Sequence, residues 1–95
     1  MLEREGIAVY ILSSISGVLY IGVTNNLQRR INEYTFGEGS VFTSKYKCTK
    51  LVYFESYKNM DYAIKREKQL KKWSRMKKMT LIKHLNPTLI DLSRI

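Results

Sequence analysis

Gly6-Ile7-Ala8-Val9-Tyr10-Ile11-Leu12 is a nearly continuous, uncharged run of β-prone residues. A run of that length and type reads as a strand covered on both faces rather than one with a wet side. Ser13 to Gly17 is a polar loop with one Ile, and Val18-Leu19-Tyr20-Ile21-Gly22-Val23 is a second strand, so the pair reads as a hairpin. Thr24 and Asn25 are capping types, and Leu27, Ile31 and Tyr34 at helical spacing give a helix of about three turns. Phe36-Gly37-Glu38-Gly39-Ser40 breaks it, and a loop near residues 40–48 follows. Leu51-Val52-Tyr53-Phe54-Glu55-Ser56-Tyr57 reads as a third strand. Asn59 or Asp61 caps a helix running to about Trp73, and a shorter helix from Met76 to Leu85 stops at Asn86-Pro87. The order ββαβαα implies an α/β or α+β domain in which helices pack on a small sheet.

Ninety-five residues are one domain (1–95, with a core of about 6–87). A hydrophobic fraction of 44% argues against disorder, and no apolar run approaches the roughly 20 residues that cross a bilayer. The acids at Glu3 and Glu5 are unlike a signal peptide, and the single cysteine, Cys48, excludes an internal disulfide and a zinc cluster. The expectation is a cytoplasmic protein.

The net charge of +9 is unevenly placed. Residues 1–57 hold six bases and five acids, a net +1; residues 58–95 hold eleven bases and three acids, a net +8. Such asymmetry suggests a polyanion on one side, nucleic acid first and anionic lipid second, although a solvated helix surface would look the same.

Two charged residues do not fit a solvated surface. On a wheel of about 100° per residue starting at Met60, Glu67 falls at about 340°, within the stripe of Ala63, Ile64 and Leu70. Lys65, Lys68 and Lys72 flank or oppose that stripe, as does Arg66. On the first helix Arg30 shares the inward face with Leu27, Ile31 and Tyr34, while Arg29 points to solvent. Pairing Leu12 with Val18 would set Tyr10 directly opposite Tyr20, their Cβ atoms about 5 Å apart. Two phenols, one guanidinium and one carboxylate would then converge on one cleft. Each has a plainer reading: strand tyrosines are ordinary β-formers, Arg30 and Glu67 could be an ion pair between helices, and Glu67 could bend outward to Lys71.

Ala8-Val9-Tyr10, nine residues, then Tyr20-Ile21-Gly22 resembles the paired tripeptides of GIY-YIG endonucleases. Gly22 through Arg30 continues the resemblance, as do Arg66-Glu67-Lys68-Gln69-Leu70-Lys71-Lys72-Trp73 and Leu85-Asn86-Pro87. The likeness covers nearly the whole chain and is greatest to small stand-alone bacterial members. It implies a three-stranded antiparallel sheet flanked by three helices, and hydrolysis of DNA phosphodiesters with one divalent ion, Mg²⁺ or Mn²⁺. By the resemblance, Tyr10 or Tyr20 orients and helps deprotonate the attacking water, Arg30 neutralises the phosphate, Glu67 holds the metal and Asn86 supports the site. The cations Lys45, Lys65, Arg66, Lys68, Lys71, Lys72 and Arg75 are the candidates to face DNA.

Three departures stand out. Ala8 replaces the usual Gly; Tyr34 stands where many members have histidine and the excision-repair branch also has tyrosine; and Val23 stands where that branch has lysine. The lone histidine, His84, has the place of a capping or surface residue. The leading expectation is a nuclease of repair or recombination, structure-selective or weakly sequence-specific, monomeric or weakly dimeric, with a protein partner able to supply specificity. A non-catalytic nucleic-acid-binding module with a degenerate site is the alternative, and an adaptor with a purely structural Arg30–Glu67 pair a third.

Overall fold

A computed structural model describes residues 6–35 and 47–94. Strands β1 (Ile7–Ser13), β2 (Leu19–Thr24) and β3 (Lys50–Tyr57) form one antiparallel sheet in the order β2-β1-β3. Helix α1 (Leu27–Thr35) follows β2, and α2 (Met60–Lys71), α3 (Arg75–Leu85) and a short 3₁₀ turn (Leu92–Arg94) follow β3. The order ββαβαα and the α+β architecture are those expected from the sequence. Lys45 and the expected breaker at residues 36–40 lie outside the described residues.

The uncharged run is the central strand, and Ala8 through Leu12 are at most 1% exposed. Alternation splits it between two cores. Ala8, Tyr10 and Leu12 pack with Leu27, Ile31 and Tyr34 of α1, with Cys48, Leu51, Phe54 and Leu92 completing that layer. Val9 and Ile11 pack with Ile21, Val52 and Tyr53 and with Ala63, Leu70 and Ile82 of α2 and α3.

The hairpin register differs from the expected one. Tyr10 pairs with Gly22, and Leu12 with Tyr20. The loop closes later than its apolar pattern suggests because Ser14 takes over the next pairing positions. Its N–H donates to Val18 O (3.0 Å), and its Oγ accepts from Val18 N–H (2.9 Å). A slip of two residues preserves which face each side chain occupies, so Tyr10 and Tyr20 still share a face, diagonally rather than opposite.

A bulge interrupts β3: Ile11 pairs with Tyr53 and Leu12 with Leu51, leaving Val52 as the extra residue. It turns Val52 and Tyr53 to the same core, so four buried residues follow one another where a regular strand would alternate.

Cap chemistry sets the helix starts. Asn26, one residue after the expected cap, accepts from Arg29 N–H at 3.0 Å. Asn59 accepts from Asp61 N–H at 2.7 Å, and Ser74 from Lys77 N–H at 3.2 Å. No helix among the described residues is long and apolar enough to cross a membrane.

Candidate active site

Tyr10 is 1% exposed, and its ring lies across Gly22 of the edge strand β2. A Cβ at Gly22 would strike both the phenol oxygen and the ring. The glycine is therefore a gap through which Tyr10 reaches from the centre of the sheet toward its rim. The half-buried Tyr20 stands beside it, ring centroids 6.3 Å apart at 41°.

The phenol's surroundings define the site. Burial pushes the Tyr10 pKa far above the ordinary tyrosine value; the Arg30 guanidinium pulls it down, and Tyr20, Glu33 and Glu67 push it up again. A guanidinium, a phenol and two carboxylates thus lie within electrostatic reach of one buried hydroxyl, which stays protonated at neutral pH. Tyr34, 4% exposed, lies in the same core layer as Tyr10, Leu27 and Ile31.

Arg30 and Glu67 do not pair with each other. Arg30 Nη1 lies 3.2 Å from Glu33 Oε1, one turn along α1. Its Nε is buried without a hydrogen-bond partner among the described residues. Glu67, whose side chain is 13% exposed, takes the outward alternative and meets Lys71 Nζ through Oε2 at 2.9 Å.

The expected orientation of Glu67 needs a correction. The stripe of α2 does face the sheet, but it covers the layer of Val9, Ile11 and Ile21, opposite the tyrosine face. The helix α2 packs across β1 and β2, and the Glu67 charge reaches the Tyr10 phenol.

Arg66 and Asn86 are scaffold, contrary to expectation. Arg66 forks onto Glu55, Nε to Oε1 and Nη2 to Oε2 at 2.9 Å each, while Nη1 donates to Gln69 at 2.7 Å. Its guanidinium also lies over the Trp73 ring, 5.1 Å from the centroid. Three of its five donors are thus committed to scaffold partners. Asn86 is 3% exposed and donates to Val52 O at 3.0 Å and to Ile90 O at 2.9 Å, while accepting from Ile90 N–H at 3.1 Å. It closes α3 and satisfies the bulge carbonyl.

Glu55 was not among the residues singled out from sequence, yet it anchors the largest polar network described. Tyr53 and Tyr57 donate to its carboxylate beside Arg66. The Tyr-x-Glu-x-Tyr alternation on a strand was the available signal, since period two puts all three on one face. Burial works against the Glu55 charge, but the hydrogen bonds from Arg66, Tyr53 and Tyr57 outweigh it and hold its pKa below the ordinary value.

Lys65, Lys68, Lys71, Lys72 and Arg75 are all exposed, and His84 is exposed on α3. The Arg75 guanidinium rests on Gly17 of the β1–β2 loop, 3.0 Å from where a Cβ would stand, so this cation belongs to the hairpin end.

A family profile for the GIY-YIG catalytic domain matches residues 7–80. The chain belongs to the GIY-YIG family. It is 36% identical over 75 residues to a "UPF0213 protein" of Staphylococcus aureus strain Mu3 and to UPF0213 protein SA0446 of strain N315, covering 79% of this chain and 92% of each relative. The solution NMR structure of UPF0213 protein BH0048 from Bacillus halodurans matches with a TM-score of 0.60 at 27% identity, covering 94% of this chain and 95% of that one.

In this GIY-YIG domain no group of three or more His, Cys, Asp or Glu side chains is placed to hold a metal among the described residues. A hard ion such as Mg²⁺ can bind through a single protein carboxylate, completing its shell with water and phosphate oxygens. The Glu67 carboxylate has the donor chemistry for such an ion, and in this structure it meets Lys71.

Proposed function

We propose that this chain is a metal-dependent DNA endonuclease of the cytoplasm, acting on branched or damaged duplex in repair or recombination, structure-selective or weakly sequence-specific. The observation that carries this reading is the Tyr10 phenol at the Gly22 gap beside Tyr20, with the charges of Arg30 and Glu67 within electrostatic reach of it. Tyr10, neutral at working pH, orients the attacking water by donating and accepting hydrogen bonds rather than acting as a phenolate base. Arg30 offers its donors to the phosphate and offsets the charge that builds there. Glu67 would hold Mg²⁺ or Mn²⁺, which when bound would stabilise the leaving 3′ oxygen. Lys65, Lys68 and Lys72 supply sequence-independent attraction to the backbone.

The test is a panel of flapped, branched, single-stranded and linear duplex DNA with Mg²⁺ or Mn²⁺. The wild-type protein should nick at least one substrate, and Glu67→Ala and Arg30→Ala should each lose about a hundredfold or more in rate while keeping the wild-type circular dichroism. No cleavage of any substrate sinks the reading. The Lys71–Glu67 contact favours a second one, a binding module without turnover, because a lysine already neutralises the carboxylate a metal would need. Under that reading Lys71→Ala gains no metal affinity by titration calorimetry; under the first it gains.

A further inference from the structure

Arg30 can serve a phosphate only if its guanidinium is held in place, so what holds it deepens the nuclease reading and rests on it. Glu33 Oε1 lies 3.2 Å from Arg30 Nη1, with both side chains about one-third exposed. On the other side of the fork, Nε is buried and unpartnered among the described residues. A guanidinium is planar and rigid, so fixing Nη1 and burying Nε sets the direction of every remaining donor.

We propose that Glu33 is the positioning residue for Arg30, its carboxylate gripping Nη1 so that the unspent donors face the scissile phosphate. The neighbouring Arg29 shows what an ordinary surface arginine on the same helix does: it is exposed, and its Nη2 donates to Asn25 at 2.6 Å. Glu33 lies instead on the cleft side, where its charge reaches the Tyr10 phenol. Its position has a consequence for binding. A carboxylate beside the phosphate-binding arginine repels the bound phosphate, so Glu33 favours orientation at the expense of ground-state affinity.

Two substitutions separate the grip from the charge. Glu33→Gln keeps an acceptor oxygen at the same reach, and Glu33→Ala removes it. For each, kcat and KM are measured on the DNA the wild type cleaves, and the Arg30 Nε–H resonance and its exchange are followed by ¹H–¹⁵N NMR. Glu33→Ala should lower kcat about tenfold without raising KM and should broaden the Arg30 Nε–H signal by faster exchange. Glu33→Gln should keep kcat within about threefold, lower KM and preserve the signal. If both variants keep kcat within about twofold with the signal unchanged, the pair is a helix-surface contact of no functional weight and the proposal falls. It falls equally if Gln is as damaging as Ala. Should the wild type cleave no DNA, the nuclease reading fails, while the NMR comparison alone still decides whether Glu33 orders Arg30.

Discussion

At the scale of single residues, the glycine of Tyr20-Ile21-Gly22 is required for space rather than for backbone freedom. Gly22 has no left-handed φ, but the Tyr10 ring fills the volume its Cβ would occupy. Gly22→Ala must therefore displace a ring that is locked in a core, and overpacking of that kind costs about 1–3 kcal/mol. The urea midpoint should fall accordingly, and cleavage should be lost at temperatures where the variant is still folded, because the phenol no longer reaches the rim. An unchanged midpoint would mean that Tyr10 has another way past β2. The same burial makes Tyr10 a phenol whose ionisation is suppressed, since it is fully buried among the other groups.

At the scale of elements, two polar devices join the helices to β3. The Glu55 carboxylate ties α2 to the strand through Arg66, and its pKa is lowered in the fold from an ordinary 4.5. A lowered acid contributes stability that is present above about pH 4.5 and is lost as pH falls through the folded value. Tyr57, raised by burial and by its bond to Glu55 from 10.0 to about 12, contributes below pH 10 and loses that contribution as pH climbs toward 12. Glu55→Gln should thus be less stable at neutral pH by about 2 kcal/mol, less than for a fully buried pair because both partners are about one-fifth exposed, and should show a flatter acid limb in thermal melts across pH. The other device is Asn86. Asn86→Ala strands the Val52 carbonyl and both Ile90 backbone groups, an expected loss of about 2–3 kcal/mol. Because the amide is spent on β3 and on Ile90, kcat measured well below the melting temperature should stay near the wild-type value.

At the scale of the whole molecule, a body 32 × 30 × 26 Å across spans about nine base pairs at about 3.4 Å per step, so few phosphates can be neutralised at once. The exposed lysines of α2 and its C-cap Lys72 are then individually visible in the salt dependence of binding. Lys65→Gln, Lys68→Gln and Lys72→Gln should each flatten the log–log salt slope on duplex DNA by about 0.9, measured by fluorescence anisotropy. Arg66→Gln should leave the slope alone and lower stability instead, since its guanidinium is spent on Glu55 and Gln69. A slope that drops for Arg66→Gln would put that guanidinium on the DNA.

The uncharged run, the capping residues and the helical spacing of Leu27, Ile31 and Tyr34 determined the elements, their order and the two-sided covering of β1, because those are properties of neighbouring residues in the chain. The half-buried place of Arg30 and Glu67 on their helices was legible for the same reason, and so was the exposure of Lys65, Lys68 and Lys72. What Arg30, Glu67 and Arg66 touch was not. A wheel gives an angle about one axis, but not which face of the sheet the helix covers, nor which of several carboxylates lies closest. The hairpin register depended on Ser14 capturing Val18, and the reversal of facing in β3 on a bulge whose carbonyl is satisfied by Asn86, 34 residues away. Glu55 and Arg66 become partners only when β3 and α2 are laid together. Local periodicity is encoded along the chain, whereas pairing between separate elements is decided by which polar groups must be satisfied once those elements are buried against each other.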